Sequence, residues 1–260
     1  MLQDIHIHIQ DIKDPSVESE ILSRSAQNGV GRMLCNGTSQ LDWDHVASIS
    51  SRCENVIPFF GAHPWMVKRL GEGWIEVLKS ILLKTRSGIG EIGLDHGKFR
   101  PDRDLQLSVF RAQLDLASEF KRPVTLHCVG AWGALLDELK SRRMTDIPFM
   151  VHLFSGSADT LTTLLRMGAY LSFSLGIAEG GPEKVRLAFQ ATPIDRLVLE
   201  TDYPYVPGKP KDEPYSAEEY FSRIKKIYST AGAMRDMAPD EFERRVWENG
   251  SIFLRGIASR

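Results

Sequence analysis

The chain has 260 residues, 42% of them apolar and 25% charged, with a formal net charge of −2 at pH 7. That length suits one α/β barrel of about 250 residues, and no apolar run reaches the roughly 18 residues of a membrane span. The near-neutral charge excludes a broad cationic surface for gripping long duplexes. Three cysteines without C-x-x-C spacing argue against a disulfide framework and for a reducing, cytoplasmic setting.

The first strand is expected over Asp4–Ile9, where Ile alternates with polar residues. Side chains at i and i+2 share one face of a strand. His6 and His8 therefore present two imidazoles to one side, a pair able to hold a metal ion. The start lacks a basic segment running into an apolar one, so no signal peptide is expected. Further strands are expected at Arg32–Asn36, Val56–Gly61, Gly88–Ile92, Val124–Cys128, Phe149–Leu153, Tyr170–Phe173 and Arg196–Glu200. Gly29 and Gly168 stand where helix C-caps precede the second and seventh of these. Among the intervening helices, Asp102–Phe120 carries Leu105, Phe110, Leu114 and Ala117 near helical spacing, and Ser157–Met167 carries Leu161, Leu164 and Leu165 on one side. Tyr203–Pro214, rich in Pro, Lys and Gly, is too long and polar for a tight turn and belongs at the active-site face. Helices within Ala217–Thr230 and Pro239–Leu254 close the chain, the second opening on Pro239-Asp240-Glu241. Strands alternating with helices predict a single (βα)8 TIM barrel domain over residues 1–260, with its site at the carboxyl ends of the strands.

From the fourth strand onward the chemically distinctive residues fall where strands are expected to end: Glu91, His127, His152 and Asp202. With His6 and His8 they supply four imidazoles and two carboxylates. That set exceeds the needs of one tetrahedral zinc and suits two divalent ions sharing a carboxylate; Mg, Mn, Fe or Zn accept such ligands. Cys128 follows His127 but faces the opposite side of the strand, as a small core residue. His63, ahead of a proline, is a substrate contact or proton donor, or a loop histidine capping a carbonyl. Asp95 either orients a ligand imidazole or serves as a turn aspartate. Glu200 either shares a face with Asp202 or simply ends its strand. Ser155 and Gly156 offer a hydroxyl and N–H groups to a phosphate ahead of a helix, or form the loop feeding a Ser157 N-cap. His45 reads as a surface residue and His96 sits near the mouth. Trp65, Trp132, Tyr203 and Tyr205 follow strand ends, where they stack on nucleobases or cover the rim.

In combination, six segments resemble the TatD family of metal-dependent hydrolases, relatives of the amidohydrolase barrels. They are Asp4-Ile-His6-Ile-His8, Gly61-Ala-His63-Pro64, Gly90-Glu91-Ile-Gly-Leu-Asp95, Pro123-Val-Thr-Leu-His127, His152-Leu-Phe-Ser-Gly156 and Glu200-Thr-Asp202-Tyr-Pro204. Gln106, Phe110, Gln113, Leu114 and Ala117 match the family's helix after the fourth strand, and Asn249 and Phe253 its closing motif. The resemblance implies that His6, His8, Glu91 and Asp202 hold one ion. It implies that Glu91 bridges to a second ion held by His127 and His152, that Asp202 orients or deprotonates a hydroxide shared by the ions, and that His63 contacts the phosphate. It further implies a magnesium-dependent deoxyribonuclease working 3′→5′ on single strands. Two departures bear on nucleic-acid specificity. Val129 stands where family members usually carry Arg, and His96-Gly-Lys-Phe replaces an aromatic stretch. Arg100, Arg103, Lys209 and Lys211 are the candidate replacement cations.

The leading expectation is thus a divalent-metal-dependent phosphodiesterase acting on DNA. The alternatives are a hydrolase of a small amide, lactone or phosphoester, and a non-catalytic metal-binding protein. No G-x-S-x-G elbow or Walker-type loop is present. Neither a membrane nor an obligate protein partner is expected.

Overall fold

A computed structural model describes residues 1–97, 102–142, 144–178, 180–205 and 214–257. Strands and helices alternate: β1 (Leu2–Ile7), α1 (Pro15–Arg24), β2 (Val30–Asn36), α2 (Trp43–Arg52), β3 (Val56–Phe60), α3 (Trp74–Lys84), β4 (Gly88–Asp95), α4 (Arg103–Phe120), β5 (Val124–Val129), α5 (Trp132–Ser141), β6 (Phe149–Val151), α6 (Ala158–Arg166), β7 (Tyr170–Phe173), α7 (Glu183–Ala191) and β8 (Leu197–Leu199). Two helices, α8 (Ala217–Met234) and α9 (Pro239–Phe253), close the chain. The strands lie in sequence order and every described pairing is parallel. The two ends of the sheet meet where Asp202 N–H donates to His6 O at 3.1 Å and His8 N–H to Tyr203 O at 2.8 Å. The buried Asp4 carboxylate fastens this seam, accepting the Thr201 N–H at 2.9 Å and its hydroxyl at 2.6 Å. The result is the expected (βα)8 barrel. No helix among the described residues is long and apolar enough to cross a membrane.

Period-two alternation sorts each strand into an outer and an inner face. Inside the barrel, Ile5, Leu34, Phe59, Met150, Tyr170 and Val198 form an apolar floor, plugged by Phe253 from α9. The next inward positions toward the carboxyl ends are polar: Asn36, Thr125, His127, His152 and Glu200. The outward set packs on the helices as the larger core. Two side chains of α4 tie its inner face to the mouth: Gln106 exchanges hydrogen bonds with the Asp95 backbone at 2.8 and 2.9 Å, and Gln113 with that of Ala62 at 2.6 and 3.2 Å. From α9, Asn249 donates to Ile194 O and Leu197 O at 2.6 and 2.7 Å, anchoring the helix to β8.

Several boundaries differ from expectation. β1 ends at Ile7, so His8 lies just past the strand rather than within it. β4 runs on to Asp95, placing Glu91 inside the strand and not at its end, and His127 likewise precedes the last two residues of β5. The register against the neighbouring strand slips at both ligand-bearing places, between Asp4 and Ile7 and between Ile89 and Ile92. Such bulges bend a strand and re-aim its side chains; in β4 the Glu91 N–H goes to Gly37 O at 2.9 Å. Asp102 and Ser157 prove to be N-caps, accepting backbone N–H groups of their helices. Gly29 and Gly168 take left-handed φ of 78° and 85°, as helix ends demand. Leu105, expected on the inner face of α4, sits partly exposed in its first turn.

Candidate metal centre

Six side chains that are far apart in sequence converge at the carboxyl end of the barrel. Glu91 lies at their centre and is 3% exposed. Its Oε2 stands 3.3 Å from His6 Nε2 and 3.4 Å from His8 Nε2. Its Oε1 stands 2.9 Å from His127 Nδ1 and 3.0 Å from His152 Nε2. Asp202 Oδ1 completes the first side, 3.9 Å from His6 Nε2 and 3.5 Å from His8 Nε2. The two nitrogens on that side are 3.1 Å apart, and the two on the other side 3.3 Å.

These spacings fit metal ligation. Donors bound about 2.1 Å from one ion at tetrahedral or octahedral angles lie about 3.0–3.4 Å from one another. Overlapping sets drawn from these residues keep all ligand atoms within 4.8 Å: His6, His8 and Glu91; His6, His152 and Asp202; and a third in which His63 joins Glu91 and His127. Hydrogen bonding at the far nitrogen separates His63 from His8 and His127. His8 Nδ1 donates to Asn36 O at 2.8 Å, and His127 Nε2 lies 3.4 Å from Asp95 Oδ2. In the neutral ring both therefore keep their proton on the outer nitrogen and turn a lone pair inward. The outer nitrogens of His6 and His152 have no hydrogen-bond partner among the described residues; His152 Nδ1 stands 3.6 Å from the Glu200 carboxylate, an ion-pair contact. At His63 the polarity is reversed: Nδ1 accepts the Trp65 N–H at 3.1 Å. The proton then sits on Nε2, which points into the pocket 3.5 Å from Glu91 Oε1. With the neutral ring in this tautomer, His63 Nε2 offers a proton to the pocket where His8 and His127 offer lone pairs.

Electrostatics at the centre call for added positive charge. Burial opposes a charge on His8, but hydrogen bonding to Glu91 and the Glu91 and Asp202 charges outweigh it and lift the ring to about 9. Burial is likewise outweighed at His127 by hydrogen bonds to Asp95 and Glu91, and at His152 by the Glu91 and Glu200 charges, so both rise. Glu91 is held well below the ordinary carboxylate range because His152, His63 and His6 overcome the cost of burying it. Burial drops His6 to about 4, with help from the His152 charge, and drops His63 to about 4 against the pull of Glu91. Burial lifts Asp202 to about 7, aided by Glu200 and Glu91 and opposed by His152 and His8.

A pocket of about 160 Å³ opens above the cluster, lined by His8, Glu91, His127, His152 and Asp202 together with His63, Thr38, Trp65, Met66 and Tyr205. Both readings of Asp95 hold: it accepts the Gly97 N–H in a turn and also faces His127, while the Trp65 indole N–H donates to it. Glu200 is fully buried, facing His152 and accepting the Leu153 N–H at 2.7 Å. Ser155 and Gly156 lie on the loop between β6 and α6 and do not line the pocket; Gly156 packs where a Cβ would press on the Phe154 ring. Tyr205 lies edge-on to His8, with ring centres 5.3 Å apart, and its hydroxyl donates to Asp11. Tyr203 is fully buried against Tyr215 and Tyr220, away from any stacking position, and Trp132 packs on Phe154. Cys128 is a buried free thiol. His45 sits outside on α2, paired with Glu18. His96 and Arg103 do not line the pocket; Arg100, Lys209 and Lys211 lie outside the described residues. Asn36, Thr38 and the Asp4–Thr201 latch escape a reading of the sequence. The one available signal was a polar residue, Asn36, ending the apolar run of β2.

The chain matches the family described as TatD related DNase over residues 3–255. It is 25% identical to the uncharacterized metal-dependent hydrolase YabD of Bacillus subtilis, over 98% of this chain and 99% of that protein. It is 27% identical to the 3'-5' ssDNA/RNA exonuclease TatD of Pantoea vagans, over 97% and 98% respectively. The crystal structure of YJJV, a TatD homolog from Escherichia coli, shares the fold with a TM-score of 0.86 at 25% identity, covering 97% of each chain.

Proposed function

Because the chain belongs to the TatD-related DNase family of metal-dependent hydrolases, we propose that its substrate is single-stranded DNA, cut at phosphodiester bonds from an end. His6, His8, Asp202 and Glu91 Oε2 would hold one divalent ion, and Glu91 Oε1, His127 and His152 a second. The proposed metal is magnesium, manganese or zinc: the two carboxylates suit the first two and the four imidazoles suit zinc. Such a pair, when bound, lowers the pKa of a shared water and offsets charge on the phosphate oxygens. One observation carries the proposal: the two oxygens of Glu91 face two separate histidine pairs.

The remaining work falls to the chain's own groups. His63 donates a hydrogen bond from Nε2–H to a phosphate oxygen and keeps its proton; its Nδ1 is held by the Trp65 N–H, which fixes the ring for that task. Asp202, beside the His6 and His8 rings, would take the proton released by the attacking water. Asp95 and Glu200 hold the rings of His127 and His152 from behind.

Protein loaded with Mg²⁺ or Mn²⁺ should shorten single-stranded DNA and stop when a chelator is added. Glu91→Gln should remove turnover, since an amide cannot present acceptors to both sides. Oligonucleotides left intact by the loaded protein would overturn the reading. The small pocket, about 160 Å³, favours as second reading a small phosphoester, amide or lactone; an ester and amide panel run beside the oligonucleotides separates the two.

A further inference from the structure

Asp202 and Tyr205 each form part of the wall of two neighbouring cavities. The metal-side pocket, at about 160 Å³, has room for ions, water and a phosphoryl group and little else. The second cavity measures about 490 Å³, within the roughly 300–1,000 Å³ in which proteins bind small organic ligands. Phe154, Phe173, Leu175 and Val185 give it apolar walls, drawn from the segments after β6 and β7 and from the first turn of α7.

Two polar groups stand among those walls. Ser174 is 6% exposed, and its hydroxyl has no hydrogen-bond partner among the described residues. Buried hydroxyls are ordinarily paired; this one, closed off as placed, reaches a ligand's polar edge when its side chain turns toward the cavity that Ser174 lines. Arg223, on α8, is the second; its one hydrogen bond among the described residues runs from Nε to Thr201 O at 3.3 Å. No other Lys or Arg lines either cavity among the described residues. Arg223 is thus the cation that the described walls offer to a substrate anion, alongside the Asp4, Asp202 and Glu219 charges that act on it.

We infer that this cavity seats the base of the nucleotide whose phosphate lies at the metal centre, with Ser174 at the polar edge of the base and Arg223 on the anionic backbone beside it. A nucleobase has apolar faces and a polar rim, and is joined through one sugar to a phosphate; the cavity offers apolar walls, a hydroxyl, a cation and a shared border with the metal site. The assignment rests on the phosphodiesterase reading above and names its substrate-positioning residues.

The test compares a single-stranded thymidine oligonucleotide with a chain of equal length built from abasic tetrahydrofuran nucleotides, using manganese-loaded protein. Wild type should cut the thymidine chain with a kcat/KM about tenfold higher or more, as base stacking allows. Val185→Trp fills the cavity and should bring the two rates to within about twofold by slowing only the thymidine chain. Arg223→Met should raise KM for both chains by about tenfold with kcat little changed, and Arg223→Lys should recover most of the loss. This arm stands if the tryptophan variant fails to fold. Equilibrium dialysis should show thymidine 5′-phosphate binding more tightly than deoxyribose 5-phosphate to wild type, and equally to Val185→Trp. Equal rates on both chains by wild type, or a thymidine preference and KM that survive all these substitutions, would overturn the subsite and leave the phosphodiesterase reading standing. Failure of wild type to cut either chain would overturn both.

Discussion

His63 and His127 lie edge to face, with ring centres 4.5 Å apart and both beside Glu91 Oε1, yet their outer nitrogens meet opposite partners. A backbone N–H presses on one and a carboxylate faces the other, which suits the first to the proposed donor role and the second to the proposed ligand role. His63→Ala should accordingly lower kcat by about 10²–10⁴-fold and leave the metal content unchanged by elemental analysis. Loss of an ion in that variant would contradict the assignment. Protons compete with metal for the other rings. His8, His127 and His152 have raised pKa values without metal, so each must shed a proton before its inward nitrogen can bind an ion. Affinity for Mn²⁺ should therefore fall as pH drops from about 8 to about 6, by about tenfold per unit for each proton displaced. Calorimetric titration reads this directly, and a dissociation constant indifferent to pH would contradict it. The residues that converge on Glu91 were legible from the sequence as a candidate set because they end or interrupt apolar runs. The partners of their outer nitrogens were not, because Asn36, Asp95 and Glu200 stand 28, 32 and 48 positions from the rings they hold.

At the scale of elements, the pairing of β4 with β5 decides whether Glu91 and His127 meet. Gly93 sits opposite His127 with φ of 151°, and a Cβ there would lie 1.9 Å from His127 O. Backbone cannot yield as a flexible side chain can, so Gly93→Ala must push the two strands apart or break their register. Thermal unfolding should show a loss of about 3 kcal/mol or more, together with reduced metal content; a fully stable, fully loaded variant would contradict this account of the close approach. The alternation of strands and helices was readable because its periods of two and 3.6 differ plainly. Strand ends were less so. β4 continues through Gly93 to Asp95, and the slips at Asp4–Ile7 and Ile89–Ile92 follow from ladder geometry that no local residue preference encodes.

At the scale of the whole molecule, the barrel turns residues spread from His6 to Asp202 into neighbours around one carboxylate. Its last strand returns to its first, and the Asp4–Thr201 latch holds Asp202 against His6 of β1 and His8 just beyond it. The polar layer rests on an apolar floor, so the candidate ligands are held from below by packing, and His8 and His127 also from behind by hydrogen bonds. The central claim is that Glu91 joins two ion sites. Anomalous diffraction from crystals equilibrated with Mn²⁺ measures this most directly. The account predicts two peaks per chain on opposite sides of the Glu91 carboxylate, one near His6, His8 and Asp202 and one near His127 and His152. A single peak, or peaks remote from Glu91, would contradict it.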